Sequence, residues 1–349
     1  MAQLNRHTAL LAAGALGFLL TTRAIVRRWR AFDLRDKSVL ITGGSRGLGL
    51  VLARQLLQQG SRVAICARDE MELDKARQDL ERYQGRIFTV PCDISEQAQV
   101  NTMVQSVRQH FGRIDVLINN AGTIQVGPLE SMTLEDYEVA MNVHFWGPLY
   151  TVLAVLPDMQ QQHEGRIVNI CSIGGKVSMP HLLPYNASKF ALVGFSEGLR
   201  AELAKDGVVV TTVCPGLMRT GSPRNAFFKG QHRAEYAWFS ISDALPLLSQ
   251  SAERAARQII AACQRGDAEV VLSLPAKLAT LLHGLFPGST ADLLGLVHRL
   301  ILPAPGGIGT ARLAGRESTS QLSPSWLTRL NDQAAQRNNE ADGVFSRVT

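Results

Sequence analysis

The sequence predicts an α/β protein built on a doubly wound parallel sheet, a single main domain carrying an apolar N-terminal helix and a helical C-terminal extension. Three observations lead there. From Asp36 onward short β-branched runs alternate with longer helical patterns, as expected of a parallel sheet wrapped on both faces. A glycine-rich turn follows the first of those runs. Residues suited to chemistry stand just past the later ones, at the carboxyl ends of strands where such a sheet binds its ligand.

The elements read in order as a strand at Ser38–Thr42, a helix at Leu48–Gln59, a strand at Arg62–Ala67 and a helix at Glu70–Tyr83. The alternation continues through Arg86–Val90, Gln97–Phe111, Asp115–Asn119, Arg166–Ser172 and Val208–Cys214. Asp69-Glu70-Met71-Glu72 fits an N-cap followed by acidic residues in the first turn. Between the first strand and helix lies Thr42-Gly43-Gly44-Ser45-Arg46-Gly47-Leu48-Gly49. Glycines there allow a tight turn and a close approach of backbone to a pyrophosphate, which the helix N-terminus then stabilises. Further along, Tyr185-Asn186-Ala187-Ser188-Lys189 sets a phenol and an ammonium four positions apart on a predicted helix, hence on one face. An ammonium beside a phenol favours the phenolate, which equips Tyr185 for proton exchange nearer neutral pH than its ordinary value of ~10.

Over roughly Asp36 to Val271 the chain resembles the short-chain dehydrogenase/reductase family in its TGxxxGxG branch. The resemblance rests on Thr42 to Gly49, Asn119-Asn120-Ala121-Gly122 after the fourth strand, Ser172 after the fifth, and Tyr185 to Lys189. Asn142, in the long helix before the fifth strand, and Pro215-Gly216 with Thr220, after the sixth, also match. The resemblance implies a Rossmann-like fold and hydride transfer between a nicotinamide and a carbonyl or alcohol. By the same resemblance Tyr185 protonates the carbonyl oxygen, Lys189 lowers its pKa and holds the nicotinamide ribose, and Ser172 polarises the carbonyl. Asn142 is then expected to hold a relay water. Thr42, Gly43, Ser45, Arg46, Gly47, Leu48, Gly49, Asn119, Ala121, Gly122, Pro215, Gly216 and Thr220 are expected around the cofactor, with Asp93 meeting the adenine.

Charge argues the choice of cofactor. Family members that use NAD carry a carboxylate at the end of the second strand. Here that strand ends in Cys66-Ala67-Arg68. Arg68 and Arg46 offer two guanidinium forks where a 2′-phosphate would lie, pointing to NADP rather than NAD.

The composition, 46% hydrophobic and 19% charged, suits a folded α/β domain. Its five cysteines show neither metal-like nor disulfide-like spacing; Cys66, Cys92, Cys171 and Cys214 fall at or beside strand ends, as buried thiols do. The net charge of +6 owes much to Arg23, Arg27, Arg28 and Arg30. The body lacks a basic stripe with aromatics, so nucleic acid is not an expected partner. Residues 1–35 read as a membrane anchor with a basic juxtamembrane segment. Thr8 to Val26 would span roughly 28 Å at ~1.5 Å per residue, close to the hydrocarbon thickness. The arginines after it place the body in the cytoplasm.

Residues 36–272 then form the catalytic domain and 273–303 an amphipathic helical extension. In the extension Leu278, Leu281, Leu282, Leu285 and Phe286 share one helical face, and Leu293, Leu296, Val297, Leu300 and Ile301 another. With Phe227, Phe228, Tyr236, Trp238 and Phe239 after Pro215-Gly216, they suggest a lipid-like carbonyl or alcohol substrate. Residues 304–349, rich in small and polar residues, are expected to be largely disordered, with a short helix around Trp326 to Gln336. A homodimer through the helix bearing Tyr185 and Lys189 follows from the resemblance. The alternatives are a related epimerase or dehydratase, disfavoured by the glycine spacing, and a membrane-tethered scaffold without turnover.

Overall fold

The computed structural model of the chain describes residues 31–83 and 85–341, with Gly14 and Gly17 beside them. Apart from those two glycines, the expected membrane anchor and its arginines lie outside the described residues.

Seven strands form the central sheet: β1 (Ser38–Thr42), β2 (Arg62–Ala67), β3 (Ile87–Pro91), β4 (Val116–Asn119), β5 (Gly165–Ile170), β6 (Val208–Pro215) and β7 (Glu269–Leu272). They lie in the order β7-β6-β5-β4-β1-β2-β3, each parallel to its neighbours. The direction of travel reverses between β1 and β4, so the carboxyl ends of those two strands open the binding crevice. The principal helices are α1 (Gly47–Gln58), α2 (Glu70–Asp79), α3 (Gln97–Phe111), α4 (Leu134–Met141), α5 (Gly147–Gln162), α6 (Leu183–Leu203), α7 (His232–Ala244), α8 (Ala252–Arg265), α9 (Leu274–Leu285), α10 (Pro287–Leu300) and α11 (Arg329–Arg337).

Strand alternation divides the core. Val39 and Ile41 of β1 pack with Leu50 and Leu56 of α1 and Ile259 of α8 on one face. Leu40, pointing the other way, packs with Val104 of α3, Leu117 of β4 and Val155 of α5. Helix α2 begins as its sequence suggests, with the Asp69 carboxylate accepting the Glu72 N–H at 3.0 Å. Between α4 and α5 the chain makes one π-helical turn, Asn142–Trp146. The combined helix, Leu134–Gln162, is long and apolar enough to cross a membrane, yet its Val152 and Val155 are fully buried in the domain. It is a core helix.

The extension forms α9 and α10, whose Leu278, Leu281, Leu285, Leu293 and Leu300 are all exposed. The pair is tied to the domain by Ala276, buried beside Gly216, and by His298, whose ring lies 3.2 Å from Nε2 of His181. His181 in turn pairs through Nδ1 with the buried carboxylate of Glu235 at 2.7 Å.

The expectation of disorder over 304–349 does not describe residues 304–341. Leu313–Ala314 pairs antiparallel with Phe227–Phe228, and α11 buries Ala334 and Ala335 against the domain. The polar composition misleads because these side chains bond to the domain's own groups: Asn331 donates to the Ser240 carbonyl at 3.0 Å, and Arg54 donates to the Arg337 carbonyl at 2.8 Å. Small and polar residues can pack on a preformed surface even where they cannot build a core of their own.

Leu40 is 0% exposed between two helices, so Leu40→Ala should destabilise the domain by about 2–5 kcal/mol, read as a lower urea midpoint with an unchanged slope.

Candidate active site

The glycine turn is shaped by the closeness of β1 to β4. A Cβ on Gly43, which has φ of +64°, would stand 2.8 Å from the Ala121 Cα, and one on Gly49 would stand 2.1 Å from the Gly43 carbonyl. Neither position admits a side chain. The Thr42 hydroxyl accepts the N–H groups of Asn120 and Ala121 at 3.0 and 3.1 Å. The Asn120 amide donates back to the carbonyls of Thr42 and Gly43, each at 3.0 Å. Asn120 is a residue that sequence reasoning passed over. The neighbouring Asn119 faces inward instead, bonded to Asn169 at 2.9 Å and Thr151 at 2.7 Å. Leu48 belongs to the core, and Gly122 abuts the ring of His144.

The charges near the turn are arranged differently from expectation. Arg46 bonds to Glu72 at 2.6 Å and Asn225 at 3.2 Å, while Ser45 donates to the other Glu72 oxygen at 3.0 Å. Arg68 leans away, its side chain 70% exposed and 3.7 Å from Asp93. Asp93 also accepts the Ser95 N–H and hydroxyl at 2.9 and 2.7 Å. A small cavity of about 40 Å³ beside the turn is lined by Arg46, Lys75, Arg224 and Arg316 together with Glu72 and Glu340. The cations gathered there come from four distant stretches of sequence. Only Arg46 among them was legible as a candidate.

The C-terminal stretch reaches the same place. The Gly47 N–H, at the start of α1, donates to the Asn338 carbonyl at 2.9 Å. The Glu340 carboxylate accepts the Gly221 N–H at 2.6 Å and is the group nearest to Gly47. Asn339 donates to the Ser45 carbonyl at 2.9 Å. A buried carboxylate thus accepts one main-chain N–H beside the N-terminus of α1, whose own Gly47 N–H is taken by a carbonyl. The glycine cradle, the helix N-terminus and this carboxylate standing in for an anion together fit a dinucleotide phosphate. Thr220 lies alongside, its hydroxyl donating to Ser222 at 2.8 Å, and the Gly216 N–H donates to the Leu272 carbonyl at 3.3 Å. Pro215 ends β6.

Deeper in the crevice, Ser172 follows β5 and accepts the Gly174 N–H at 3.0 Å. Its hydroxyl stands near the Tyr185 phenol and favours the ionised form. Lys189, one turn further along α6, donates from Nζ to the Ile170 carbonyl at 2.9 Å and lies 5.7 Å from the centre of the Tyr185 ring. Ser172, Tyr185 and Lys189 therefore meet as the sequence suggests. The electrostatics do not. Burial pushes the Tyr185 phenol up to about 12, against the Ser172 hydrogen bond, and the charges of Asp243, Cys171 and Cys214 act in the same upward sense. Burial also draws Lys189 down to about 8, opposed by Cys171 and Cys214. Desolvation outweighs the attraction between the two groups, so nearness on a helix face does not by itself lower the phenol's pKa. Burial likewise raises the Asp243 carboxyl to about 8, with Glu340 adding to it.

Asn142 does not join them. It is exposed at the start of the π-helical turn, whose wider winding turns His144 inward instead. His144 is 0% exposed; its Nε2 lies 3.1 Å from the Thr123 N–H and its Nδ1 2.8 Å from the Ser188 hydroxyl. Its ring stands edge-on to that of Tyr185, centroids 5.4 Å apart. Asn142 rested on the family pattern alone, and a π-turn leaves no mark in residue types that would have pointed to His144.

All five cysteines are buried free thiols. Among the described residues no cluster of His, Cys, Asp or Glu is suited to a metal ion.

A Tyr–Lys pair beside a strand-end serine, under a glycine cradle at the sheet's switch point, defines a dinucleotide-dependent oxidoreductase site. The comparisons agree. The short chain dehydrogenase family pattern matches residues 37–228, and the chain belongs to that family as an oxidoreductase. It is 35% identical over 263 residues to a dehydrogenase/reductase SDR family protein 7-like of Anopheles gambiae, covering 74% of this chain and 81% of that one. It is 31% identical to dehydrogenase/reductase SDR family member 7B of Danio rerio, covering 79% and 90%. Among solved structures, a short-chain dehydrogenase from Streptomyces avermitilis superposes with a TM-score of 0.65 at 28% identity, over 76% of this chain and 96% of that one. A gluconate 5-dehydrogenase from Burkholderia cenocepacia, in complex with NADP and tartrate, gives 0.62 at 26% identity, over 71% and 98%.

The two shifted groups give opposite pH dependences. Between about pH 8 and 10.5 the unfolded chain holds a proton that folded Lys189 has released, so stability rises with pH across that window. Tyr185 acts in reverse above pH 10, where the unfolded phenol ionises first. The buried thiols of Cys66, Cys171 and Cys263, held up by burial and neighbouring thiols, oppose Lys189 above about pH 9, so Lys189→Met should shift the slope of the urea midpoint against pH between 8 and 10 downward relative to the unaltered protein.

Proposed function

We propose that the chain is an NADP(H)-dependent oxidoreductase interconverting a carbonyl and an alcohol on a hydrophobic, lipid-like molecule at a membrane surface. The observation that carries the chemistry is the buried Lys189, its Nζ 5.7 Å from the centre of the Tyr185 ring and bonded to the end of β5, with Ser172 beside the phenol. The nicotinamide dinucleotide, when bound, supplies or accepts the hydride. Thr42 to Gly49, Ala121, Gly122, Pro215, Gly216 and Thr220 would hold it. In the reducing direction Tyr185 gives its phenolic proton to the carbonyl oxygen, and Ser172 donates a hydrogen bond to that same oxygen. Lys189, as an ammonium, stabilises the phenolate left behind. Its buried position makes that charge count for more than it would in water.

Arg46, Lys75, Arg224 and Arg316 around one cavity favour the extra phosphate of NADP. Glu72, bonded to Ser45 and Arg46, favours NAD instead; the larger number of cations supports NADP. Exposed leucines on α9 and α10, joined to the domain through His298 and His181, support an apolar substrate arriving from a lipid surface. The apolar N-terminal segment in the sequence points the same way, with the domain on the cytoplasmic side. Trp146, Leu153 and Phe190, exposed around α5 and α6, support a homodimer through those helices.

Tyr185→Phe should lower NADPH-dependent reduction of long-chain aldehydes at least ~100-fold while leaving dinucleotide affinity within about threefold. Fluorescence titration should show NADPH binding more tightly than NADH, and Arg46→Ala with Lys75→Ala should reverse that order; tighter NADH binding by the unaltered protein would overturn the assignment. Equal turnover of short water-soluble ketones and long-chain ones would overturn the lipid-like substrate.

A further inference from the structure

We infer that His144 is a positioning residue for Tyr185, joining the segment after β4 to the first turn of α6 through a neutral imidazole of fixed tautomer. The Thr123 N–H can only donate, so the Nε2 that receives it at 3.1 Å carries no proton. The ring proton is therefore on Nδ1, which donates to the Ser188 hydroxyl at 2.8 Å. Ser188 passes its own proton to the Tyr185 main-chain carbonyl at 2.8 Å. These bonds run in one direction from Thr123 to the residue that carries the phenol. The edge-on contact of the two rings fixes the phenol's remaining freedom. A second proton on the imidazole would cost the Thr123 bond and set a cation near Lys189. Burial, with Lys189 adding to it, holds the imidazole well below its ordinary value, in keeping with a permanently neutral ring.

This inference rests on Tyr185 as the acid, so its test has an arm independent of turnover. Nitrogen-15 imidazole spectra of the full chain, with the His144 signals assigned by their loss in His144→Asn, should show a neutral ring protonated at Nδ1 from pH 6 to 8. The Nε2-protonated tautomer, or a midpoint near pH 6.5, would overturn it. For turnover, decanal and NADPH serve as probes. His144→Ala and Ser188→Ala should each lower kcat about 10- to 100-fold with KM within about threefold, and the double variant should be no worse than the poorer single one. His144→Asn, able both to accept and to donate, should recover most of the loss. Additive losses, or no recovery by Asn at equal thermal stability, would refute a shared chain of bonds. No turnover of decanal by the unaltered protein, with the tautomer as expected, would tell against the proposed reaction and not against the bonds.

A separate observation supports a second inference. We infer that Asn338, Asn339 and Glu340 occupy the anion site of the glycine turn and must leave before a dinucleotide phosphate enters. The Gly47 and Gly221 N–H groups that such a phosphate would need are taken by the Asn338 carbonyl and the Glu340 carboxylate. Their neighbours hold the segment in place, through bonds from Arg54 to the Asn338 amide oxygen at 2.8 Å and from Asn339 to the Ser45 carbonyl at 2.9 Å. Asn339→Ala with Glu340→Ala leaves α11 intact and should tighten NADPH binding about tenfold. NADPH should also hasten tryptic cleavage after Arg337 in the unaltered chain. Unchanged or weaker binding by the variant, or protection of Arg337, would show that the segment does not compete. Failure of both proteins to bind NADPH or NADH would instead remove the cofactor reading on which this inference rests.

Discussion

The lack of room between the carboxyl ends of β1 and β4 governs the rest of the structure. At the sheet's switch point the backbone of Gly43 touches that of Ala121, and Gly49 lies against the Gly43 carbonyl. Thr42 and Asn120 close the gap with four hydrogen bonds between the two strand ends. This contact aims the N-terminus of α1 into the crevice. It also sets the height at which the segment from Ala121 to Thr123 passes, and Thr123 is where His144 finds its main-chain partner. Phosphate site and proton-handling site are thus two ends of one rigid junction. Distortion at the glycines would be transmitted to both.

Beyond that junction, desolvation sets the electrostatics. Tyr185, Lys189, Asp243 and Glu340 all shift in the direction that burial dictates. Attraction between Tyr185 and Lys189 is the smaller effect. Burial of this kind keeps the Tyr185 phenol protonated and loosens the hold of Lys189 on its proton, while leaving it an ammonium at neutral pH. The buried Glu340 carboxylate belongs to the same picture. It satisfies the Gly221 main-chain N–H, which would otherwise be left unpaired away from water.

The departures from sequence expectation share a cause. Asn142 was carried over from the family pattern by its place in the helix before the fifth strand, and the π-turn there leaves it exposed and buries His144 instead. Arg68 was chosen because it ends the second strand, but it extends toward Asp93 while Lys75, Arg224 and Arg316 gather with Arg46. Residues 304–341 were read from composition alone, which reports whether a segment can build a core and not whether it can lie on one. In each case the deciding contact joins residues far apart in the chain.

The sequence by itself determined the strand–helix alternation, the glycine turn, and the meeting of Ser172, Tyr185 and Lys189. Those features depend on local periodicity and on the rule that ligands sit at the ends of parallel strands. Only the tertiary structure decided which face of the helix before β5 turns inward, which cations stand together, and what fills the anion site. These depend on winding and on long-range packing, where small differences in geometry choose among side chains that the sequence presents as equals.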